Sequence, residues 1–246
     1  MTPAIDKLLP GTAEPDLILG AADEASGRVR ISGESLLAAA LMVLLAPLIL
    51  LAVVLVRLSS RGPAIYTQPR VGKDGRRFTL YKIRTMYLDS EPRGACWSVP
   101  GDQRVTLVGR FLRRSHIDEL PQLLNILRGE MSLIGPRPER PEIVARLRRV
   151  LPDYLRRLEV RPGLTGMAQV LQPPDQDLAM VRRKLALDLH YIDRGSRWLD
   201  LRILTGTALH LVGVPPGRLA RLCGFPEDPD VPAVAAAAWA EVVPVD

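Results

Sequence analysis

Residues 36–56 read LLAAALMVLLAPLILLAVVLV, an uncharged apolar run that any fold of this chain must accommodate. About 20 such residues let a helix cross the hydrocarbon core of a bilayer, so membrane insertion is the first expectation. A cleaved leader fits less well, because the run is longer than a signal-peptide core and no A-x-A-like cleavage site follows it. Pro47 lies mid-run, where it removes one helical amide and crowds the preceding turn. Arg28 and Arg30 precede the run and Arg57 and Arg61 follow it, so the positive-inside rule puts both ends on the cytoplasmic side. Two readings stay open on these grounds: a kinked helix that spans, and a helix–break–helix hairpin that enters and leaves by one face.

The rest of the chain narrows what the anchor carries. A length of 246 residues suits one sizeable domain with accessory segments, and a formal charge of +6 favours anionic partners. Cys96 and Cys223 lie far apart, which excludes a disulfide framework and a CxxC metal pattern. His116, His190 and His210 have no HExxH-type spacing, and neither a GxxxxGK[ST] loop nor a GxGxxG turn occurs. A nucleotide, if bound, is held another way.

Four regions follow from the composition: a leader over 1–33, a membrane helix over 34–58, a catalytic domain over 59–214 and a tail over 215–246. Residues 64–71 and 76–83 are β-prone runs joined across Lys73-Asp74-Gly75, and Asp-Gly predicts a hairpin that delivers Lys82 and Arg84. Residues 110–114, RFLRR, lead with Arg113 directly into an acidic pair. Over 141–160 apolar residues recur at helical spacing opposite Arg146, Arg148, Arg149, Arg156 and Arg157, with Pro152 set to break the helix. That face suits anionic lipid or plain solvent. A further helix is predicted over 178–192, and the fold class is α+β, mainly helical.

The densest chemistry lies in residues 115–138, SHIDELPQLLNILRGEMSLIGPRP. Asp118 stands where an N-cap belongs, with Pro121 tolerated in the first turn. A cap is all it need be. The same position also offers free amides and a positive dipole end to a phosphate, where a carboxylate can attack phosphorus and Glu119 can hold Mg²⁺. Arg137, between two prolines, suits bidentate phosphate recognition or a salt bridge to a nearby acid.

Taken together, RVGKDGRRFTLYKIRTM, the D-x-R-V-T-x-x-G-R-F-L-R block at 102–113, SHIDELPQLLNILRGEMSLIGPRPE and RPGLTGMAQV resemble the bacterial sugar transferase family, the monotopic polyprenyl-phosphate phosphoglycosyl transferases. The resemblance covers about 57–211, together with the apolar run and its proline. It implies a re-entrant membrane helix broken at Pro47 and a small cytoplasmic domain with a β-hairpin and amphipathic interfacial helices. It implies Asp118 as nucleophile, Glu119 as the Mg²⁺-binding acid, and Lys82, Arg84, Arg113, Arg137 and Asp188 as the set around the substrate phosphates, Asp188 following Lys184 in the last helix. Members commonly continue from AQV into Asn-Gly-Arg, whereas this chain reads Val170-Leu171-Gln172-Pro173-Pro174, without that arginine.

The implied reaction moves a sugar 1-phosphate from a UDP-sugar to undecaprenyl phosphate at the cytoplasmic face of a bacterial inner membrane, releasing UMP and starting a glycan. Membrane lipids and a second copy of the chain are the other implied partners; nucleic acid is not. The rival reading is a non-catalytic, membrane-tethered basic module for lipid or nucleic acid. It leaves the adjacent acids without a reason, and with 4% aromatic residues the chain has little to stack on bases.

Overall fold

In the computed structural model, which describes residues 32–88, 90, 101–173, 175 and 177–226, the apolar run forms one helix, α1 (Gly33–Ser59). Ser32 caps its start, its hydroxyl accepting from the Ser35 amide at 3.2 Å. The backbone stays helical through Pro47, so the break expected there is not present in α1. One missing amide leaves the bonds on either side intact, and apolar helices tolerate it. By length and composition α1 can cross a membrane.

One stripe of α1 faces the rest of the protein and the others do not. Ala38, with Leu41, Met42 and Leu45, packs on Leu80, Leu123, Ile126 and Met131, while Ala52, Val53 and Val56 pack on Ala64, Ile83, Leu112 and Ile117. Leu36, Val43, Leu44, Leu50, Leu51 and Val54 stay exposed. Small residues bring the helix close to its support, and the larger apolar side chains are left exposed.

The predicted hairpin forms as β1 (Ile65–Val71) and β2 (Arg77–Ile83), antiparallel, with Tyr66 opposite Lys82. Asp74 at φ 57° and Gly75 at φ 75° supply the left-handed turn that the Asp-Gly pair favours. Next comes α2 (Leu107–Arg114), capped by Thr106, whose hydroxyl accepts from the Gly109 amide at 2.9 Å. Gly109 has no substitute: a Cβ there would lie 2.0 Å from the Thr85 carbonyl oxygen. A 3₁₀ turn over Ile117–Gln122 then runs into α3 (Leu123–Leu127).

Strands β3 (Ser132–Ile134) and β4 (Gly163–Thr165) form a short parallel pair. Between them lie α4 (Pro141–Val150) and a 3₁₀ helix over Pro152–Glu159, the predicted helix broken at Leu151–Pro152. The order closes with α5 (Met167–Leu171), α6 (Leu178–Arg194), α7 (Arg197–Leu211) and α8 (Pro216–Cys223). Leu219, Ala220, Cys223 and Phe225 belong to the core formed by Val170, Leu187 and Ile203, so the folded part continues past residue 214, where a tail was expected. The leader up to residue 31 and the tail from 227 lie outside the described residues. The described residues are mainly helical with two small sheets, in line with the expected α+β, mainly helical class.

Candidate active site

Three elements deliver the charged groups. Leu80 and Lys82 lie two residues apart on one face of strand β2, Leu80 in the core and Lys82 against Glu119 of the 3₁₀ turn. Asn125 holds this strand in register: its amide donates to the Thr79 carbonyl at 2.7 Å and its oxygen accepts from the Tyr81 amide at 3.3 Å. The turn itself starts at His116, which has a left-handed backbone at φ 55°. Asp118 therefore lies inside the 3₁₀ turn rather than at its cap, which corrects the expected N-cap role. Arg137 comes from the strap 136–139 that leaves β3.

Glu119 is clamped. Lys82 Nζ donates to its Oε1 at 2.7 Å, and Arg137 forks onto it with Nη2 at 2.5 Å from Oε1 and Nη1 at 3.2 Å from Oε2. Burial pushes this carboxyl up, but Arg137 and Lys82 outweigh it and hold it well below the ordinary carboxylate value. Burial pulls Lys82 down against the pull of Glu119, whereas Glu119 raises Arg137.

Asp118 is the opposite case. It is 6% exposed, and among the described residues its carboxylate has no hydrogen bond or ion pair. Burial first, and the neighbouring Glu119 second, push its pKa up to about 6, against the pull of Lys82, Arg113 and Arg137. Arg113 faces this acid while its Nε donates to Thr85 Oγ1 at 2.8 Å. One carboxylate is thus fixed as an anion and its neighbour is left without a partner beside three cations.

Two expected residues stand elsewhere. Arg84 is buried and donates to the carbonyls of Arg61 at 2.6 Å and Ser60 at 2.9 Å, closing the C-terminal end of α1. Asp188 is buried on α6 and accepts from Arg157 Nε at 2.7 Å. Arg157 was expected on a solvated or lipid-facing basic face. It is buried instead, because the switch from α to 3₁₀ geometry at Pro152 rotates it inward. Lys184 is gripped between Glu139, at 2.7 Å, and Asp175. Sequence reasoning passed over Glu139 and Arg157, and neither stands out from the run of charges around it.

Among the described residues no three His, Cys, Asp or Glu side chains converge as a metal cage. The Asp118–Glu119 pair, with Glu119 held ionised, fits the other common magnesium arrangement, one or two carboxylates completed by substrate phosphates and water.

The family model for bacterial sugar transferases matches residues 28–213. The chain belongs to the bacterial sugar transferase family. It is 46% identical over 176 residues to a UDP-N-acetylgalactosamine-undecaprenyl-phosphate N-acetylgalactosaminephosphotransferase of Aeromonas hydrophila, covering 71% of this chain and 42% of that protein. It is 44% identical over 177 residues to a UDP-glucose:undecaprenyl-phosphate glucose-1-phosphate transferase of Caulobacter vibrioides, covering 71% and 66%. An exopolysaccharide production protein, PSS, of Rhizobium leguminosarum is 38% identical over 174 residues, covering 68% and 87%. The aligned part therefore spans about two fifths to two thirds of the first two relatives.

Proposed function

We propose that this protein transfers a sugar 1-phosphate from a UDP-sugar to undecaprenyl phosphate, with Asp118 as the covalent nucleophile. The observation that carries the reading is the division of labour in the acidic pair: Glu119 is locked by Lys82 and Arg137, and Asp118 has no hydrogen-bond or ion-pair partner among the described residues. An oxygen of Asp118 attacks the phosphorus bearing the sugar, the bridging P–O bond breaks, and UMP leaves with its electron pair. An oxygen of undecaprenyl phosphate then attacks the aspartyl-phosphosugar, forming the lipid diphosphate and restoring the carboxylate. One hard displacement becomes two.

Lys82, Arg113 and Arg137 stand where they can offset diphosphate charge in a site largely shielded from water. Mg²⁺ held by Glu119 would supply Lewis-acid stabilisation of the same phosphates. Lys82, near the end of β2, and Arg84, just past it, are two residues apart, which ties this site to the end of the membrane helix.

The anchor is proposed to keep both ends on the cytoplasmic face of the inner membrane. Support comes from the tethers at each end: Ser132 Oγ donates to Glu34 at 2.6 Å at the start, and Arg84 binds the carbonyls at the finish. A straight helix of 27 residues is about 40 Å long, beyond the ~30 Å hydrocarbon core, so a spanning α1 would separate groups that hold one domain. Exposed Leu107 and Phe111 on α2, and Trp198, Leu201 and Leu211 on α7, suit the same interface.

Release of UMP from a panel of UDP-sugars, with undecaprenyl phosphate and Mg²⁺ in detergent, tests the reading. One sugar should give lipid-dependent turnover. UMP from none of them, by folded protein, would contradict it. The missing arginine after Val170 bears on which sugar is taken, and the panel answers that as well.

A further inference from the structure

Arg137 reaches Glu119 from a strap with an unusual handicap. In Pro136-Arg137-Pro138-Glu139 two of the four residues lack an amide hydrogen, so the segment cannot be held as a strand through its own donors. It is held by its carbonyls. The Gly163 amide donates to Pro136 O at 2.9 Å and the Val71 amide to Glu139 O at 2.9 Å, which fixes the two ends. The two middle carbonyls are taken by side chains: Arg157 Nη2 donates to Arg137 O at 3.0 Å, and Arg70 Nη1 to Pro138 O at 2.9 Å.

Of these two arginines, Arg157 is the fully built one. It is 4% exposed and every arm is used: Nε donates to Asp188 at 2.7 Å, Nη1 to the Tyr154 hydroxyl at 2.9 Å, and Nη2 to the strap. Asp188 and Tyr154 are buried with it, so the fork has one orientation. Arg137, Pro138, Tyr154 and Arg157 line a common recess behind the strap. The guanidinium touches no group that faces Asp118. Its contact with the site is the backbone oxygen of the residue whose side chain grips Glu119.

We infer that Arg157, set by Asp188 and Tyr154, is a positioning residue that aims Arg137 at Glu119 and at the substrate diphosphate, acting through the Arg137 carbonyl. The inference rests on the proposed function for the role of Arg137 in binding diphosphate. It gives Asp188 a task two steps from the chemistry instead of at the phosphates. Lysine cannot replace arginine here, since one ammonium cannot serve three acceptors in a fixed plane.

The test is a double-mutant cycle. Arg157→Lys keeps a cation beside Asp188, so the buried acid is not stranded, but removes the fork. kcat/KM for UMP release is measured for the unmodified protein, Arg157→Lys, Arg137→Gln and the double variant, with UDP affinity measured alongside for any variant too slow to assay. In the Arg137 background the lysine should lower kcat/KM by about tenfold or more, as for a displaced charge near a reacting centre. In the Arg137→Gln background it should change either readout by less than about twofold, because the guanidinium that Arg157 aims is already gone. Equal losses in both backgrounds, or no loss in the first, overturn the positioning role and leave the proposed function intact. Unmodified protein that binds no UDP and releases no UMP overturns both. If Arg157→Lys does not fold, the pair Arg157→Met with Asp188→Leu removes both charges together and takes its place in the same cycle.

Discussion

Two clusters of buried charge adjoin at the strap 136–139, through Arg137 and Glu139, and have opposite characters. In the one around α6, each carboxylate has a cation: Glu139 and Asp175 share Lys184, and Asp188 has Arg157. Burial pushes Glu139 up, yet Lys184, Arg157 and Arg70 bring its pKa down to about 2. Around the 3₁₀ turn, Glu119 takes two cations for itself and Asp118 has no bond among the described residues, with its pKa up at about 6. A closed cluster fixes structure. An unbalanced one, with an acid that burial disfavours and cations beside it, is where an incoming phosphate finds a partner.

The largest expected effect separates the clusters by a single kind of change. Asp118→Asn should lower turnover on the order of 10³-fold or more, as for other removed nucleophiles, while the chain becomes more stable near neutral pH. A pKa raised from 3.8 to about 6 means that the folded chain holds this proton more tightly than the unfolded one, so stability falls as pH rises between those values. Removing the ionisation should return up to about 3 kcal/mol, read as a higher unfolding midpoint at pH 7 than for the unmodified protein. Asp188→Asn should do the reverse to stability: burial also raises this carboxyl, but the stranding of buried Arg157 without its counter-charge outweighs that and costs roughly 3 kcal/mol. Thermal unfolding of the two variants side by side checks both signs.

Glu119→Gln comes next. It removes the anion between Lys82 and Arg137, and should lower the rate on the order of 10²-fold and flatten the Mg²⁺ dependence. A magnesium titration at fixed UDP-sugar measures it. An unchanged titration curve removes Glu119 from metal binding.

The pH profile sharpens the comparison further. kcat/KM should climb through about pH 6 as Asp118 gives up its proton and becomes a nucleophile, whereas Glu119 and Glu139 remain ionised across that range. A flat profile between pH 5 and 7 breaks the assignment of Asp118. Arg84→Gln should have the smallest effect, a loss of about 1–3 kcal/mol at the end of α1 with modest loss of rate, read from unfolding in detergent.

Much of this was legible in the chain. The Asp-Gly pair marked the hairpin because few sequences supply the left-handed turn it needs, and Asp118-Glu119 with the Pro-bracketed Arg137 pointed to the candidate site, where the structure brings Glu119 and Arg137 into contact. The left-handed backbone of His116 was not legible, because a histidine carries no local preference strong enough to announce it, and that conformation is what moves Asp118 off the cap and into the turn. Arg157 was hidden for a different reason. Its helical spacing put it among solvated arginines, and only the change of helix type at Pro152, together with Asp188 arriving from α6, buries it. The parallel pair β3–β4 is three residues a side, too short to show a period. Pro47 left a break and a continuous helix both open, and α1 is continuous through it, since a proline that can break a helix need not do so where the surrounding bonds hold.

The central claim, that Asp118 carries the phosphosugar, is tested most directly by intact-protein and peptide mass spectrometry after rapid quenching with UDP-sugar and Mg²⁺ in the absence of lipid acceptor. The account predicts a mass increase of one sugar phosphate on the peptide containing residues 117–122, absent in Asp118→Asn and discharged by undecaprenyl phosphate. An adduct that persists in the asparagine variant, or full UMP release by that variant, would contradict it.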